Sequence, residues 1–236
     1  MAPDAEGLIY GMDPVLEQLK AGVRRFRSDV YAHQADVFAH AASEPQRPHT
    51  FFIACADSRI DPNAITSTGP GEVFVMRNIG NMIPAYGEML GGVSAVVEFA
   101  VSALGVRHIV VCGHTDCGAM KALLDPASVD KMPSVRNWLT NAHAARTVAE
   151  TLHERDLVEG RERPLIDVLT EQNVLLQIQH IKTHPSVAGA IAMGGLTISG
   201  WIYSIGTGEV RIAEDGERKF APVTPLPREH ESPLRV

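Results

Sequence analysis

Cysteine is scarce in this chain, which limits how covalent bonds or metals can hold its fold together. Only 3 of the 236 residues are Cys. That number is odd and far too small for a disulfide scaffold, so we expect metal binding or redox chemistry from any functional cysteine. The positions of Cys55, Cys112 and Cys117 therefore matter more than their number.

Positive charge and long apolar runs are also lacking. The formal net charge is -7, the pI is near 5.8, and Lys and Arg are scattered, so no basic patch for nucleic acid is expected. No stretch approaches the roughly 18 apolar residues of a membrane span. The N-terminal MAPDAEGLIYGMDP does not have the basic-then-apolar order of a secretory signal. We therefore expect a cytoplasmic protein that binds neither nucleic acid nor membrane.

Length and composition predict a single domain. A chain of 236 residues with 45% hydrophobic content can bury a sizeable core, and it fits one large domain better than two equal ones. Within that domain we expect an N-terminal helical arm over residues 1–45 and a core over residues 46–223. The last segment, 224–236, is rich in Pro and charge, which predicts a loosely ordered tail.

Alternating strand and helix patterns predict the fold class. Short runs of β-branched and aromatic residues predict strands at 50–55, 73–77 and 107–113, and alternation around GTGE predicts a hairpin within 196–214. Apolar residues at intervals of three or four predict helices at about 13–40, 89–105, 117–125, 134–155, 163–182 and 184–195. The expected fold is α/β, with a mainly parallel central β-sheet flanked by helices, a long N-terminal helical arm and a C-terminal hairpin.

Reactive side chains follow two of the expected strands. The stretch FFIACADSRIDP contains Cys55, and the stretch RHIVVCGHTDCGAM contains His114 and Cys117. Because loops leaving the carboxyl ends of parallel strands meet at one edge of a sheet, the two clusters should lie together. Zinc prefers thiolate and imidazole ligands, and a catalytic site commonly has three of them plus an open position. The sequence therefore predicts a zinc site.

Three further residues lie in these two stretches. Cys112 lies inside an apolar run, which favours a buried core thiol. Asp57 and Arg59 are separated by one residue, which points both side chains to the same side of an extended segment. A carboxylate beside a guanidinium is ordinarily a plain ion pair, but this pair lies two residues from the expected metal ligand Cys55.

The chain resembles the β-class carbonic anhydrases, especially the plant, cyanobacterial and cyanate-operon branch. The resemblance rests on the segments CADSR and HTDCG, and on PGEVFVMRNIGNMIP and GGVSAVVEFAVSALGVRHIVVCGH between them. The resemblance implies reversible hydration of carbon dioxide to bicarbonate and a proton, with one Zn²⁺ per chain held by Cys55, His114 and Cys117. It implies that a zinc-bound hydroxide is oriented by the pair of Asp57 and Arg59. In a closed state, Asp57 would become a fourth ligand of the metal.

The same resemblance implies an oligomer. Gln46 matches a glutamine that reaches the substrate across a dimer interface, although it could equally be a loop residue of EPQRP. We expect a homodimer or larger assembly, with a dimer of dimers favoured by the resemblance. Phe52 stands where the closed bacterial branch has Trp, which, together with Gln46, favours the open form of the site.

Other pocket residues are assigned only by position in the resembling family. Phe74, Ile79 and Phe99 match the apolar wall of the substrate pocket, or are core residues; Phe99 replaces a tyrosine, so that hydroxyl is absent. Gly118, next to the last expected zinc ligand, is assigned to the same pocket. His184 aligns with a residue implicated in proton transfer, or is a surface histidine.

Three other functions fit parts of the pattern. A hydrolase of carbon disulfide or carbonyl sulfide would use the same zinc ligands. A non-catalytic zinc-binding scaffold protein is disfavoured because Asp57 and Arg59 are both intact. A metal-free thiol oxidoreductase is disfavoured because CxxC is absent.

Overall fold

The computed structural model describes residues 13–88, 91–214 and 216–224. They form two compact units that divide between Gln46 and Arg47. The expected tail lies outside the described residues, apart from Thr224.

The N-terminal unit is helical, as the apolar spacing predicts. Helix α1 (Pro14–Arg25) begins with Pro at its first position and is capped by Asp13, whose Oδ1 accepts a hydrogen bond of 2.9 Å from the Val15 amide. The chain continues through a π-helical turn (Phe26–Tyr31) and, after a short break, enters helix α2 (Ala35–Ser43).

The described part of this unit has no buried core. The rings of Phe26, Tyr31 and Phe38 pack against one another with centroids 5.2 to 6.3 Å apart, yet none of the described residues 13–46 is buried. Along α1, Leu19 is 63% exposed and Val23 is 59% exposed. A helix with an uncovered apolar stripe ordinarily gains its stability by burying that stripe against another surface.

The second unit is built on a six-stranded sheet. Its strands are β1 (Thr50–Cys55), β2 (Val73–Asn78), β3 (His108–His114), β4 (Thr197–Tyr203), β5 (Val210–Ala213) and β6 (Ala221–Pro222). They lie in the order β2-β1-β3-β4-β5-β6. The first four are parallel, whereas β5 pairs antiparallel with β4 and with β6. The predicted α/β fold with a mainly parallel sheet is therefore confirmed.

Helices cover the sheet. They are α3 (Pro62–Thr66), α4 (Gly92–Glu98), α5 (Gly118–Leu124), α6 (Pro133–Leu139), α7 (His143–Val158), α8 (Leu165–Lys182) and α9 (Pro185–Ala192). Helix α8 lies so close to the sheet that a Cβ on Gly113 or Gly200 would be 2.8 Å from a methyl group of Val174. Glycine at these two positions therefore allows the helix to approach β3 and β4. None of the described helices has the length and apolar character that spanning a membrane requires.

Strand β1 lies inside the sheet between β2 and β3, and nearly all of it is buried. Its side chains alternate between two apolar clusters, as expected for a parallel strand covered on both faces. Phe51 and Ile53 belong to one cluster, and Phe52 packs with Cys112 in the other. Burial raises the pKa of Cys112 to about 12, so this thiol remains protonated at neutral pH. The prediction of a core thiol at Cys112 is confirmed.

The strand order creates a crevice at one edge of the sheet. Strand β1 leads to β2 on one side, whereas its other neighbour, β3, leads to β4 on the opposite side. Ligands of open α/β sheets bind where the connections diverge in this way, beyond the carboxyl ends of the strands. Cys55 and His114 are the last residues of β1 and β3.

A buried carboxylate joins α7 to the segment that follows it. Only 5% of the Asp156 side chain is exposed, and it accepts a hydrogen bond of 3.0 Å from Arg161 Nε. Arg163, in the same segment, pairs with Glu171 of α8 at 2.5 Å, and Arg211 of β5 pairs with Glu171 at 2.7 Å. The arginines thus connect two helices and a sheet strand.

We predict that Asp156→Asn lowers Tm by several degrees at neutral pH, because removing one partner leaves the arginines without their buried counter-charge. Arg161 holds the pKa of Asp156 below its usual range. The contribution of the Asp156 carboxylate to stability is therefore present above the unfolded-state pKa of about 3.9. It is lost as the pH falls through the lower pKa that Asp156 has in the folded state. Thermal unfolding of the wild-type and Asp156→Asn proteins at several pH values should show a difference in Tm that disappears below about pH 4. A pH-independent difference would contradict this assignment. Asp130→Asn, at an exposed pair 3.8 Å from Arg136, is the control.

Candidate metal centre

Three side chains meet in the crevice between β1 and β3. Cys55 ends β1, His114 ends β3, and Cys117 immediately precedes α5. All three are buried, with exposures of 5%, 1% and 1%. Their ligand atoms lie within 4.8 Å of one another, and the two sulfurs are 4.0 Å apart. The group that the sequence predicts is therefore assembled in the structure.

A tight turn carries the chain from His114 to Cys117. Asp116 has a φ of 61° within this turn, a left-handed conformation that Asp and Asn adopt more readily than most residues. The turn is held to the sheet because the Thr115 amide donates to the Tyr203 carbonyl at 3.0 Å and the Thr115 hydroxyl accepts from the Ile205 amide at 3.1 Å.

The histidine is fixed in one tautomer. His114 Nδ1 lies 2.8 Å from the Thr115 carbonyl oxygen, which can only accept, so Nδ1 carries the proton. Nε2 then has a free lone pair, and it is buried without a hydrogen-bond partner. A backbone carbonyl on the distal nitrogen is the usual arrangement for a metal-binding histidine.

The environments of the two thiols shift their pKa values in opposite directions. The pKa of Cys55 is lowered chiefly by its contact with the Cys117 thiol, and the amides of Asp57 and Gly80 also donate to its sulfur, although burial opposes this shift. The pKa of Cys117 is raised by the neighbouring Cys55 thiolate and by burial, although the amides of Met120 and Ala119 oppose this shift. Two adjacent buried thiolates therefore require a positive charge between them.

The donor set fits a metal. Two sulfurs of a tetrahedral zinc site, each about 2.3 Å from the ion, would be about 3.8 Å apart, close to the observed 4.0 Å. The unpartnered Nε2 of His114 supplies a third donor. A buried group of two thiols and one imidazole at the carboxyl edge of a parallel sheet defines a candidate metalloenzyme site.

An ion pair lies beside this group. Arg59 donates from Nε to Asp57 Oδ1 at 2.9 Å and from Nη2 to Asp57 Oδ2 at 2.8 Å, and its amide also donates to Asp57 Oδ1 at 3.0 Å. These contacts hold the pKa of Asp57 well below its usual range. The carboxylate is therefore ionised at every pH at which the protein would be assayed.

Sequence reasoning missed two supports of the first ligand loop. Arg77, on β2, donates to the carbonyl of Cys55 at 3.0 Å and to that of Asp57 at 2.5 Å.

Gly80 is the second support. It has a φ of 72°, and a Cβ there would be 2.9 Å from the Ala119 side chain, so glycine is required beside α5. Asn173 of α8 donates to the Gly80 carbonyl at 3.0 Å. The sequence signal for Arg77 is a charged residue ending the apolar run VFVMR.

The expected pocket residues are placed as follows. The rings of Phe74 and Phe99 are 6.0 Å apart, and Phe99 is 48% exposed. Ile79 is 44% exposed, and its carbonyl accepts a hydrogen bond of 2.8 Å from Trp138 Nε1. Gly118 is exposed next to Cys117, and a Cβ at that position would have no atom within 4 Å. Gly118 thus leaves open space beside the candidate ligands.

His184 is buried, so the alternative of a surface histidine is wrong. It is 2% exposed, and its Nε2 donates to the Pro84 carbonyl at 3.1 Å. Its ring lies 5.6 Å from that of Tyr86, in a cleft that Glu98 and Ser102 also line. Burial lowers the pKa of His184.

Gln46 is an exposed residue at the end of the N-terminal unit.

Comparison with known proteins assigns the chain to a family. The carbonic anhydrase family profile matches residues 50–210. A carbonic anhydrase of Pseudomonas aeruginosa is 43% identical over 206 residues, which are 87% of this chain and 91% of that protein.

Solved structures agree with this assignment. The β-carbonic anhydrase CcaA has a TM-score of 0.80 and 37% identity, with 92% of this chain and 94% of that chain covered. A tetrameric β-carbonic anhydrase from Sordaria macrospora has a TM-score of 0.71 and 28% identity, with 86% and 98% covered. The chain therefore belongs to the β-class carbonic anhydrases, and it is an enzyme of that family. The resemblance identified from CADSR and HTDCG is confirmed.

Proposed function

We propose that the chain binds one zinc ion through Cys55, His114 and Cys117 and catalyses the reversible hydration of carbon dioxide to bicarbonate and a proton. The observation that carries this proposal is the buried cluster of two thiols and one imidazole beside a bidentate carboxylate-guanidinium pair. Membership of the carbonic anhydrase family supports the choice of substrate.

Zinc bound here would act as a Lewis acid that makes water a nucleophile near neutral pH. Two thiolate ligands cancel its formal charge, so the protein must orient the attacking water well. Asp57 accepts a hydrogen bond from that water, and Arg59 keeps the Asp57 carboxylate ionised and fixed in direction. The observed pairing of Asp57 with Arg59 supports the open form of the site.

The substrate pocket in this proposal lies over the metal ligands. Phe74, Ile79 and Phe99 form its apolar wall, and the uncovered position of Gly118 leaves room for a small linear molecule. Gln46 of a second subunit donates a hydrogen bond to the substrate.

Proton release is assigned to His184. Because Nε2 donates to the Pro84 carbonyl, Nδ1 carries the lone pair that can accept a proton. The lowered pKa of His184 keeps the ring neutral and able to accept at physiological pH.

A stopped-flow assay with three substrates tests the substrate assignment. With carbon dioxide, we expect turnover that scales with bound zinc, and with carbon disulfide or carbonyl sulfide no turnover above buffer. Faster turnover of either sulfur compound would favour the related hydrolase, because that enzyme would use the same ligands.

We predict that the active unit is at least a homodimer, and a dimer of dimers is favoured because the matching Sordaria macrospora proteins are tetrameric. The exposed apolar stripe of α1, in a unit whose described residues 13–46 include no buried one, would be covered by a second copy. Light scattering of the wild-type protein should give a dimer or larger species. Leu19→Glu, at an exposed position of α1, should weaken assembly and activity together, whereas a fully active monomer at assay concentration would contradict the prediction.

A cytoplasmic location is also proposed. All three cysteines are free, and the two proposed thiolate ligands need a reducing compartment to remain available for zinc.

A further inference from the structure

Arg59 has a second carboxylate partner that the proposed mechanism does not use. Its Nη1 donates to Asp116 Oδ2 at 2.9 Å, and its Nη2 lies 3.3 Å from the Asp116 carbonyl oxygen. Asp116 lies in the turn between the candidate ligands His114 and Cys117. The same turn thus carries two candidate ligands and contacts the arginine of the ion pair.

The two carboxylates occupy different edges of one guanidinium. Asp57 accepts from Nε and Nη2, and Asp116 accepts from Nη1. A guanidinium is planar and rigid, with its donors in a fixed fork. Acceptors on both edges therefore restrain the orientation of the group more than the Asp57 carboxylate alone would.

Asp116 is itself held from the other side. Lys121, one turn into α5, forms an ion pair with Asp116 Oδ1, which leaves Oδ2 for Arg59. Asp57, Arg59, Asp116 and Lys121 alternate in sign and have no net charge. The chain of contacts runs from α5 to the carboxylate beside the candidate metal ligands.

We propose that Asp116 is a positioning residue, which holds the guanidinium of Arg59 in the orientation that pairs with Asp57. The inference rests on the proposed function, because Asp116 acts only through the pair of Asp57 and Arg59. The side chains of Asp116 and Lys121 are 52% and 56% exposed, and exposed ion pairs are individually weak. The effect is therefore smaller than that of losing Arg59 itself.

The test uses Asp116→Asn, because Asn tolerates the left-handed backbone of this turn and removes the charge. We expect kcat to fall about twofold to fivefold, with KM, zinc content and Tm nearly unchanged. Asp116→Glu, which keeps the charge, should recover part of this loss. The control is Asp130→Asn, at an exposed pair with Arg136, which should leave kcat unchanged. Unchanged kcat in Asp116→Asn, or loss of its zinc, would overturn the proposal.

A double-mutant cycle decides whether Asp116 acts through Arg59. In an Arg59→Ala background, Asp116→Asn should change kcat no further. An equal additional loss there would mean that Asp116 acts independently, and the proposal would be wrong. The visible absorption spectrum of the cobalt-substituted protein gives a readout besides activity. The spectrum of Asp116→Asn should shift towards that of Arg59→Ala, and a wild-type spectrum would contradict a change in the position of Asp57.

These variants also separate this inference from the proposed function. If Asp57→Ala and Arg59→Ala retain wild-type turnover, the proposed role of the ion pair fails. If both lose turnover but Asp116→Asn does not, only the positioning role of Asp116 fails.

Discussion

A Cys117→Ser variant is expected to lose its zinc and its carbon dioxide hydration together. Cys117 supplies one of three buried donor atoms, and metal binding is coupled to the organisation of the sheet edge between β1, β3 and α5. Bound metal stabilises a folded protein by about 4 kcal/mol when free metal is a thousandfold above Kd. Its loss should therefore lower Tm by about 10 °C. Metal analysis and thermal unfolding check both parts of this prediction.

Cys112→Ala is the matched control, because Cys112 is a buried thiol of the same strand as His114 but lies in a separate apolar cluster. It should keep full zinc content and turnover per zinc, with some loss of stability from the vacated volume. The ligand assignment would be refuted by a Cys112→Ala protein without zinc, or by a Cys117→Ser protein with full zinc.

Asp57→Ala should retain zinc and lose most of its turnover. In the proposed mechanism, Cys55, His114 and Cys117 would still hold the metal, but the attacking water would have no carboxylate to orient it. Losing a group of this kind beside a metal costs about 10- to 100-fold in activity. Zinc content, Tm and kcat are the measurements. If the pair were only a structural ion bridge, Tm would fall while turnover per zinc stayed nearly unchanged.

Arg59→Ala should differ from Asp57→Ala in its pH dependence. Without the guanidinium, Asp57 is free to turn towards the metal, where it would compete with the attacking water. We therefore expect low activity at acidic pH and partial recovery as the hydroxide concentration rises, with zinc retained. A pH-rate profile that has the wild-type shape would show that Arg59 does not restrain Asp57.

The parts of the fold that the sequence predicts depend on residues that lie close together in the chain. The run TFFIAC is apolar without alternation because both faces of β1 are covered, and it stops where the chain leaves the sheet at Cys55. The hairpin of β4 and β5 follows from alternation around GTGE. The expected metal cluster depends on only one non-local rule, that loops at the carboxyl ends of parallel strands converge.

The parts that the sequence does not predict depend on contacts between distant residues. Arg77 reaches the carbonyl of Cys55 because β2 pairs with β1 in a particular register, and Asn173 reaches Gly80 across 93 positions of the chain. The second carboxylate on Arg59 comes from Asp116, 57 positions away. No periodicity or short motif encodes such distances, so these partners become visible only in the structure.

Stopped-flow carbon dioxide hydration at measured zinc occupancy tests the central claim most directly. The wild-type protein would be assayed as purified, after zinc removal with a chelator, and after zinc has been restored. We predict that turnover rises in proportion to bound zinc up to one ion per chain, disappears with the metal and returns with it. Hydration no faster than buffer at full zinc occupancy, or equally fast without zinc, would contradict the account.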